Sequence, residues 1–153
     1  MEKLFAEGNL IKSAGVPKDI NASAFAGERI SMAKGYRMAI VVEFDAGSED
    51  VAVTFQQHDA ASAGNSKAFT NVNPVFEKLD AAVSFTSQSA FTAADANAVK
   101  GIVVFEILAE ELDRANDYAF ISADIAAGSA AKVCSVMYIG HKPVREPAHK
   151  VEL

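Results

Sequence analysis

The residues that invite a chemical reading lie in one stretch, VAVTFQQHDAASAGNSKAF, residues 51–69. It sets His58 beside Asp59, with several hydroxyls, a glycine and Lys67 close behind. A nucleophilic triad needs a histidine oriented by a carboxylate and within hydrogen-bond reach of a nucleophile. Neighbouring residues of a strand point to opposite faces, so His58 and Asp59 are not expected to pair in that way. No GxSxG elbow presents a serine. SAGNSK carries one glycine and lacks the GxxxxGK[ST] frame that cradles a phosphate, and no GxGxxG occurs. The stretch is expected to be a strand wetted at its edge by Gln56 and Gln57, then a loop from His58 to Lys67. If that loop matters, it should matter by touching a neighbour.

Other candidates are weaker still. His58, His141 and His149 lack the spacing of metal ligands. Asp95-Ala96-Asn97 starts like a calcium loop, but no glycine or distal glutamate follows at the required offsets. Glu110, Glu111 and Asp113 make a small acidic cluster on an expected exposed turn, which reads as a solvated face rather than as an acid–base pair. The single cysteine, Cys134, excludes an intrachain disulfide and a multi-cysteine zinc site. It shares a strand face with Val136 and Tyr138, so it is expected to be a small buried hydrophobe. No catalytic residue, metal or cofactor is expected.

The elements around these residues read as strands. In YRMAIVVEF, Tyr36, Met38, Ile40, Val42 and Phe44 point one way, while Arg37, Ala39, Val41 and Glu43 point the other. DAGSED is a turn, and Val51, Val53 and Phe55 alternate with polar or small residues after it, so an antiparallel hairpin is expected. VFEKLDAAVSFT reads as a helical turn plus a strand, and Pro74 argues against a central strand there. Residues 85–98 read as loop, with enough alanine to permit helix. GIVVFEIL, residues 101–108, is largely apolar on both faces except for Glu106 and should lie centrally, covered on both sides. AEELDRAND suits a short helical turn or loop, and YAFISADI and KVCSVMYI are two more strands joined by AAGSAA. Six to eight strands with regular turn signals predict an all-β fold: an antiparallel β-sandwich or jelly roll with one or two short helices at most.

A chain of 153 residues suits one domain with its own core. Residues 18–140 form its expected body. Residues 1–17 and 141–153 read as extended arms, the first with a short helix over EKLFAEGNLIK, the second broken by Pro143 and Pro147. Neither is expected to join a sheet. Leu4, Phe5, Leu10, Ile11, Val144, Val151 and Leu153, with Arg145, are the candidate anchors through which the arms would hold a partner. A net charge of -6 offers no basic footprint for nucleic acid. No run is long enough to cross a bilayer, and the start lacks the apolar stretch of a signal peptide, so synthesis in a cytoplasm is expected.

The order INASAFAGERISMAKGYRMAIVVEFDAG, VAVTFQQHDAASAGNSKAF, an apolar strand, LAEELD and YAFISADI…KVCSVMYIG resembles small β-rich virion proteins of tailed bacteriophages, of the head decoration or cement type. The resemblance spans residues 18–140. It implies a non-enzymatic structural protein on the capsid surface, bound to the major capsid protein and to copies of itself, by analogy as a homotrimer. A tail or head-tail connector component is the alternative within that class. A cytoplasmic cupin-like ligand-binding domain is the alternative outside it.

Overall fold

In a computed structural model, residues 9–32, 37–72, 75–80, 82, 84–88 and 90–141 are described. The chain runs through β1 (Asn9–Ser13), β2 (Lys18–Asp19), β3 (Phe25–Ala26), β4 (Ile30–Ser31), β5 (Arg37–Phe44) and β6 (Val53–His58). It continues through β7 (Ser66–Phe69), β8 (Val75–Leu79), β9 (Thr86–Gln88), β10 (Gly101–Leu108), β11 (Phe120–Ile125) and β12 (Val133–His141). The large sheet has the order β1-β12-β5-β10-β8-β9, with β2 also on β12. The small sheet has the order β3-β11-β6-β7, with β4 also on β11. Both are antiparallel. The all-β sandwich expected from the alternating pattern is the observed architecture. The described helical pieces are three single 3-10 turns, at Ala93–Ala96, Ala109–Glu111 and Arg114–Asn116.

Alternation decides which side chains fill the core. Met38, Ile40, Val42 and Phe44 of β5 are buried against the small sheet, as are Val103, Phe105 and Ile107 of β10. From the small sheet come Phe55, Ile121, Ala123 and Ile125. Phe55 and Phe105 meet edge-on across the sandwich with ring centroids 4.9 Å apart, and Phe91 extends the cluster at 5.9 Å from Phe105. Aromatic quadrupoles favour such edge-to-face contacts. Cys134 lies in this core with Val136 and Tyr138, and burial pushes its thiol up to about 11.

Several expectations are corrected by the tertiary arrangement. The hairpin between β5 and β6 does not form, because β5 lies in the large sheet and β6 in the small one. Residues 45–52 arch across the end of the sandwich instead. Asp45 turns the chain by accepting from the N–H groups of Gly47 and Val133, each at 3.1 Å. A Cβ on Gly47 would stand 2.0 Å from the Ala131 carbonyl, so only glycine fits this approach. An apolar face is satisfied equally by a side-by-side or a stacked partner, and the period cannot tell them apart. VFEKL is strand β8 rather than a helical turn. β10 is central but covered on one side only, with Ile102, Val104 and Glu106 half-buried on its outer side.

The N-terminal expectation fails from residue 9 onward. β1 pairs with β12 from Asn9 opposite His141 to Ser13 opposite Met137, and Ala14 is fully buried with its N–H on the Val136 carbonyl at 2.9 Å. The part of EKLFAEGNLIK that is described is therefore strand, not helix. β1 satisfies the free edge that β12 would otherwise expose. The loop after β6 is shorter than expected, because Ser66 and Lys67 already belong to β7.

Candidate functional site

The small sheet gathers the groups that the sequence left scattered. His58 ends β6 between β7 and β11, opposite Ser66 on one side and Phe120 on the other. The residue is 5% exposed. Nδ1 lies 2.7 Å from the Ser66 hydroxyl and Nε2 lies 2.9 Å from the Ser122 hydroxyl. Ser122 reaches the Asp124 carboxylate at 3.5 Å, and the other Asp124 oxygen accepts from the Gly27 N–H at 2.9 Å. Arg29 stands at the outer end, with its guanidinium on the Ala60 carbonyl at 3.0 Å, on the Ala63 carbonyl, and 3.5 Å from the Ser66 hydroxyl. Burial, aided by the Arg29 charge, pushes the His58 pKa down. The imidazole is thus neutral at pH 7, with one ring nitrogen donating and the other accepting.

Asp59 takes no part in this chain. Its carboxylate accepts from the Asn65 backbone and side chain, each at 2.8 Å, and closes the loop through Ala63 and Gly64, both at positive φ. Gln57, expected to be wet, is buried, and its carbonyl oxygen accepts from the Asp113 N–H at 2.8 Å. Asp113 also pairs with Lys67 at 2.8 Å, which holds that carboxyl low and raises the lysine. A serine–histidine pair could polarise a hydroxyl, but acyl transfer also needs a cleft at the nucleophile and donors aimed at the oxyanion. His58 and Ser66 line none of the four principal clefts. What the geometry does achieve is a tie between β6, β7 and β11. Among the described residues, no three His, Cys, Asp or Glu side chains converge as metal ligands would.

The large sheet carries a different kind of site. On the face turned away from the small sheet, Met137, Val41, Val104 and Phe76 stand directly opposite one another across β12, β5, β10 and β8. The adjacent row continues with Ile11, Ile139 and Ala39 before it meets Glu106. Ile11 and Met137 are 45% and 43% exposed, values that belong to a surface rather than a core. A third row, Ser135, Glu43, Ile102 and Lys78, leads into a cleft of about 520 Å3 at the end of the sheet. Ile102, Val133 and Pro17 supply its apolar lining, and Glu43, Asp45, Asp80, Lys78 and Lys100 supply its charges.

Of the anticipated anchors, Leu10 and Ile11 lie on β1 and are 42% and 45% exposed. Leu4, Phe5, Val144, Arg145, Val151 and Leu153 lie outside the described residues. The apolar outer face was not anticipated. Its signal was present in GIVVFEIL, where both alternating sets are largely apolar, and in Ala39 and Val41 at the middle of YRMAIVVEF. Among the described residues, no helix is long and apolar enough to cross a membrane.

Set against known proteins, the chain matches no family model, no curated protein and no solved structure. It is an all-β protein of two stacked antiparallel sheets, and the larger sheet presents an apolar outer face.

Proposed function

We propose that the chain is a non-enzymatic structural subunit of a bacteriophage virion, a decoration or cement protein seated on the outside of the head shell. The observation that carries this reading is the apolar row Met137–Val41–Val104–Phe76 on the outer face of the large sheet. Contiguous exposed apolar surface marks a contact with another macromolecule. Strands about 4.8 Å apart, rising about 3.3 Å per residue, give a six-stranded face on the order of 600 Å2. That approaches the ~800 Å2 per partner of a stable interface. The proposed partner on this face is the major capsid protein. Repetition over a symmetric shell multiplies a modest affinity per copy into firm attachment. Self-association as a homotrimer, assembly after synthesis in a host cytoplasm, and indifference to nucleic acid and membranes complete the reading. A cupin-like ligand site would need free histidine nitrogens converging with a carboxylate, and both nitrogens of His58 are taken by serines.

The test compares purified particles that carry or lack the protein. Decoration predicts a copy number that follows the repeated lattice sites of the shell, and greater resistance to heat and osmotic shock when the protein is present. Unchanged particle stability would sink the reading. A copy number in the tens or fewer would move the protein to the tail or the head-tail connector.

A further inference from the structure

The large sheet ends on a strand whose outer edge is unpaired. Among the described residues, β1 pairs only with β12, and no strand lies on its other side. The Ala14 N–H donates to the Val136 carbonyl at 2.9 Å, one step beyond the pairing of Ser13 with Met137. In an antiparallel ladder the backbone groups of successive residues turn alternately toward and away from the partner. Leu10 and Lys12 therefore turn theirs toward β12, as Ala14 does. Asn9, Ile11 and Ser13 turn their N–H and carbonyl groups outward, along the free edge.

Edge strands are normally blunted by shortness, charge or proline. The other edges follow that rule: β9 has three exposed polar residues, β7 carries Lys67, and β2, β3 and β4 are two residues long. β1 does not. It has five residues and no proline, and its Leu10 and Ile11 are exposed. Its one charge, Lys12, stands opposite Tyr138 on the inner side and is held by Glu28 at 2.8 Å.

We propose that β1 of one copy pairs antiparallel with β1 of a second copy, about a two-fold axis at Ile11. A strand paired with itself about a two-fold can only run antiparallel. The register that uses all five residues puts the axis at Ile11, the midpoint of Asn9–Ser13. Ile11 then bonds to Ile11 and Asn9 to Ser13, which engages every outward backbone group. Leu10 falls opposite Lys12, so the two lysines do not face each other. The Ile11 side chains meet on the outer face, in the row of Ile139 and Ala39. Two copies thus share one outer face of twice the size, larger than the ~800 Å2 per partner of a stable interface. The pairing goes beyond the decoration reading and does not rest on it. As a two-fold contact it is distinct from the threefold one proposed above, and where trimers form it links one to the next.

The experiment uses the full chain with Ile11→Cys or Ser13→Cys, oxidised with diamide. Both positions are exposed, and Cys134 is buried with its thiol pushed up to about 11, so the new thiol alone reacts. Paired Ile11 positions would lie about 5.5 Å apart at Cα, within disulfide reach. Ser13 positions would lie four residues out of register, roughly 13 Å apart. Ile11→Cys should form a covalent dimer at least about tenfold faster than Ser13→Cys. Ile11→Pro removes an outward N–H that an edge strand can spare, so it should keep the fold. Sedimentation of the unaltered chain should show an even number of copies, and Ile11→Pro should halve it. Equal cross-linking at the two positions, an odd number of copies, or undiminished association of folded Ile11→Pro would overturn the proposal. The particle measurement is scored separately. Stabilised particles without the cross-link at position 11 remove the pairing and leave the decoration role. The cross-link in a protein that leaves particles unchanged removes the decoration role and leaves the pairing.

Discussion

The hydroxyl of Tyr138 on β12 accepts a hydrogen bond from the Ala123 N–H on β11 at 3.0 Å, joining the two sheets through the core. The same hydroxyl donates to the Glu28 carbonyl at 3.0 Å. Gly27 makes room for it, since a Cβ there would stand 2.9 Å from the Tyr138 oxygen and 2.2 Å from the Ala123 carbonyl. Tyr138→Phe keeps the ring and strands both backbone partners, which costs about 2 kcal/mol when buried groups are left unpaired. Urea unfolding should show a lower midpoint with an unchanged slope.

Alkaline pH should act through the same residue. Burial pushes the Tyr138 hydroxyl up to about 12 from 10.0 and the Cys134 thiol up to about 11 from 9.0. Above each unfolded value the unfolded chain ionises first, so stability is full below pH 9 and falls as the pH climbs from 9 towards 12. Melting temperature measured across that range should fall less steeply in Tyr138→Phe and Cys134→Ser.

His58 should make the fold acid-sensitive. Its folded pKa is depressed below 6.5 by burial and the Arg29 charge, so the unfolded chain takes up the proton first. Stability is full above that value and is lost as the pH falls below it. Protonation would also turn both ring nitrogens into donors and disturb the Ser66–His58–Ser122 tie. His58→Gln should be less stable at pH 8 and show a flatter decline in urea midpoint between pH 6.5 and 5.

Lys132 is fully buried, with Nζ donating to the carbonyls of Gly47 at 2.9 Å, Val99 at 3.0 Å and Ala96, and lying 5.1 Å from the Phe44 ring centroid. It fastens the β5–β6 arch to the turn before β10. Burial lowers its pKa, so raising the pH through the window below 10.5 adds stability, opposite in sign to Tyr138 and Cys134. Lys132→Met removes the buried charge but strands three carbonyls, for a net loss on the order of 3 kcal/mol. Hydrogen exchange should quicken first around residues 45–51 and 96–99.

The outer face should tolerate charge in the monomer and reject it in the assembly. Val104→Glu lies on the half-buried outer side of β10, where a substitution shifts folding stability by about 0.5 kcal/mol. The melting temperature of the isolated protein should move by a few degrees, and binding to particles should be lost. A variant that still binds particles would take the docking role away from this face.

Much of the fold was legible because alternation is a local property. Met38, Ile40, Val42 and Phe44 announced a buried face, and Cys134, Val136 and Tyr138 announced another. The partner of each face was not local. β5 and β6 are neighbours in the chain and both amphipathic, yet they stack across the core rather than pair at their edges. Gln57 and His58 read as wet because they are polar, and they are buried because Asp113, Ser66 and Ser122 come to meet them from distant strands.

By itself, then, the sequence determined that this is an antiparallel all-β sandwich, with a core of alternate Val, Ile, Met and Phe and with Cys134 inside it. Those follow from side chains that must point to opposite sides of a pleated strand. Only the tertiary structure decided that β1 closes the edge of β12, that His58 joins Ser66 to Ser122, and that the apolar row from Met137 to Phe76 faces away from the core. Each depends on residues far apart in the chain, and a period of two says which residues share a face without saying what that face meets.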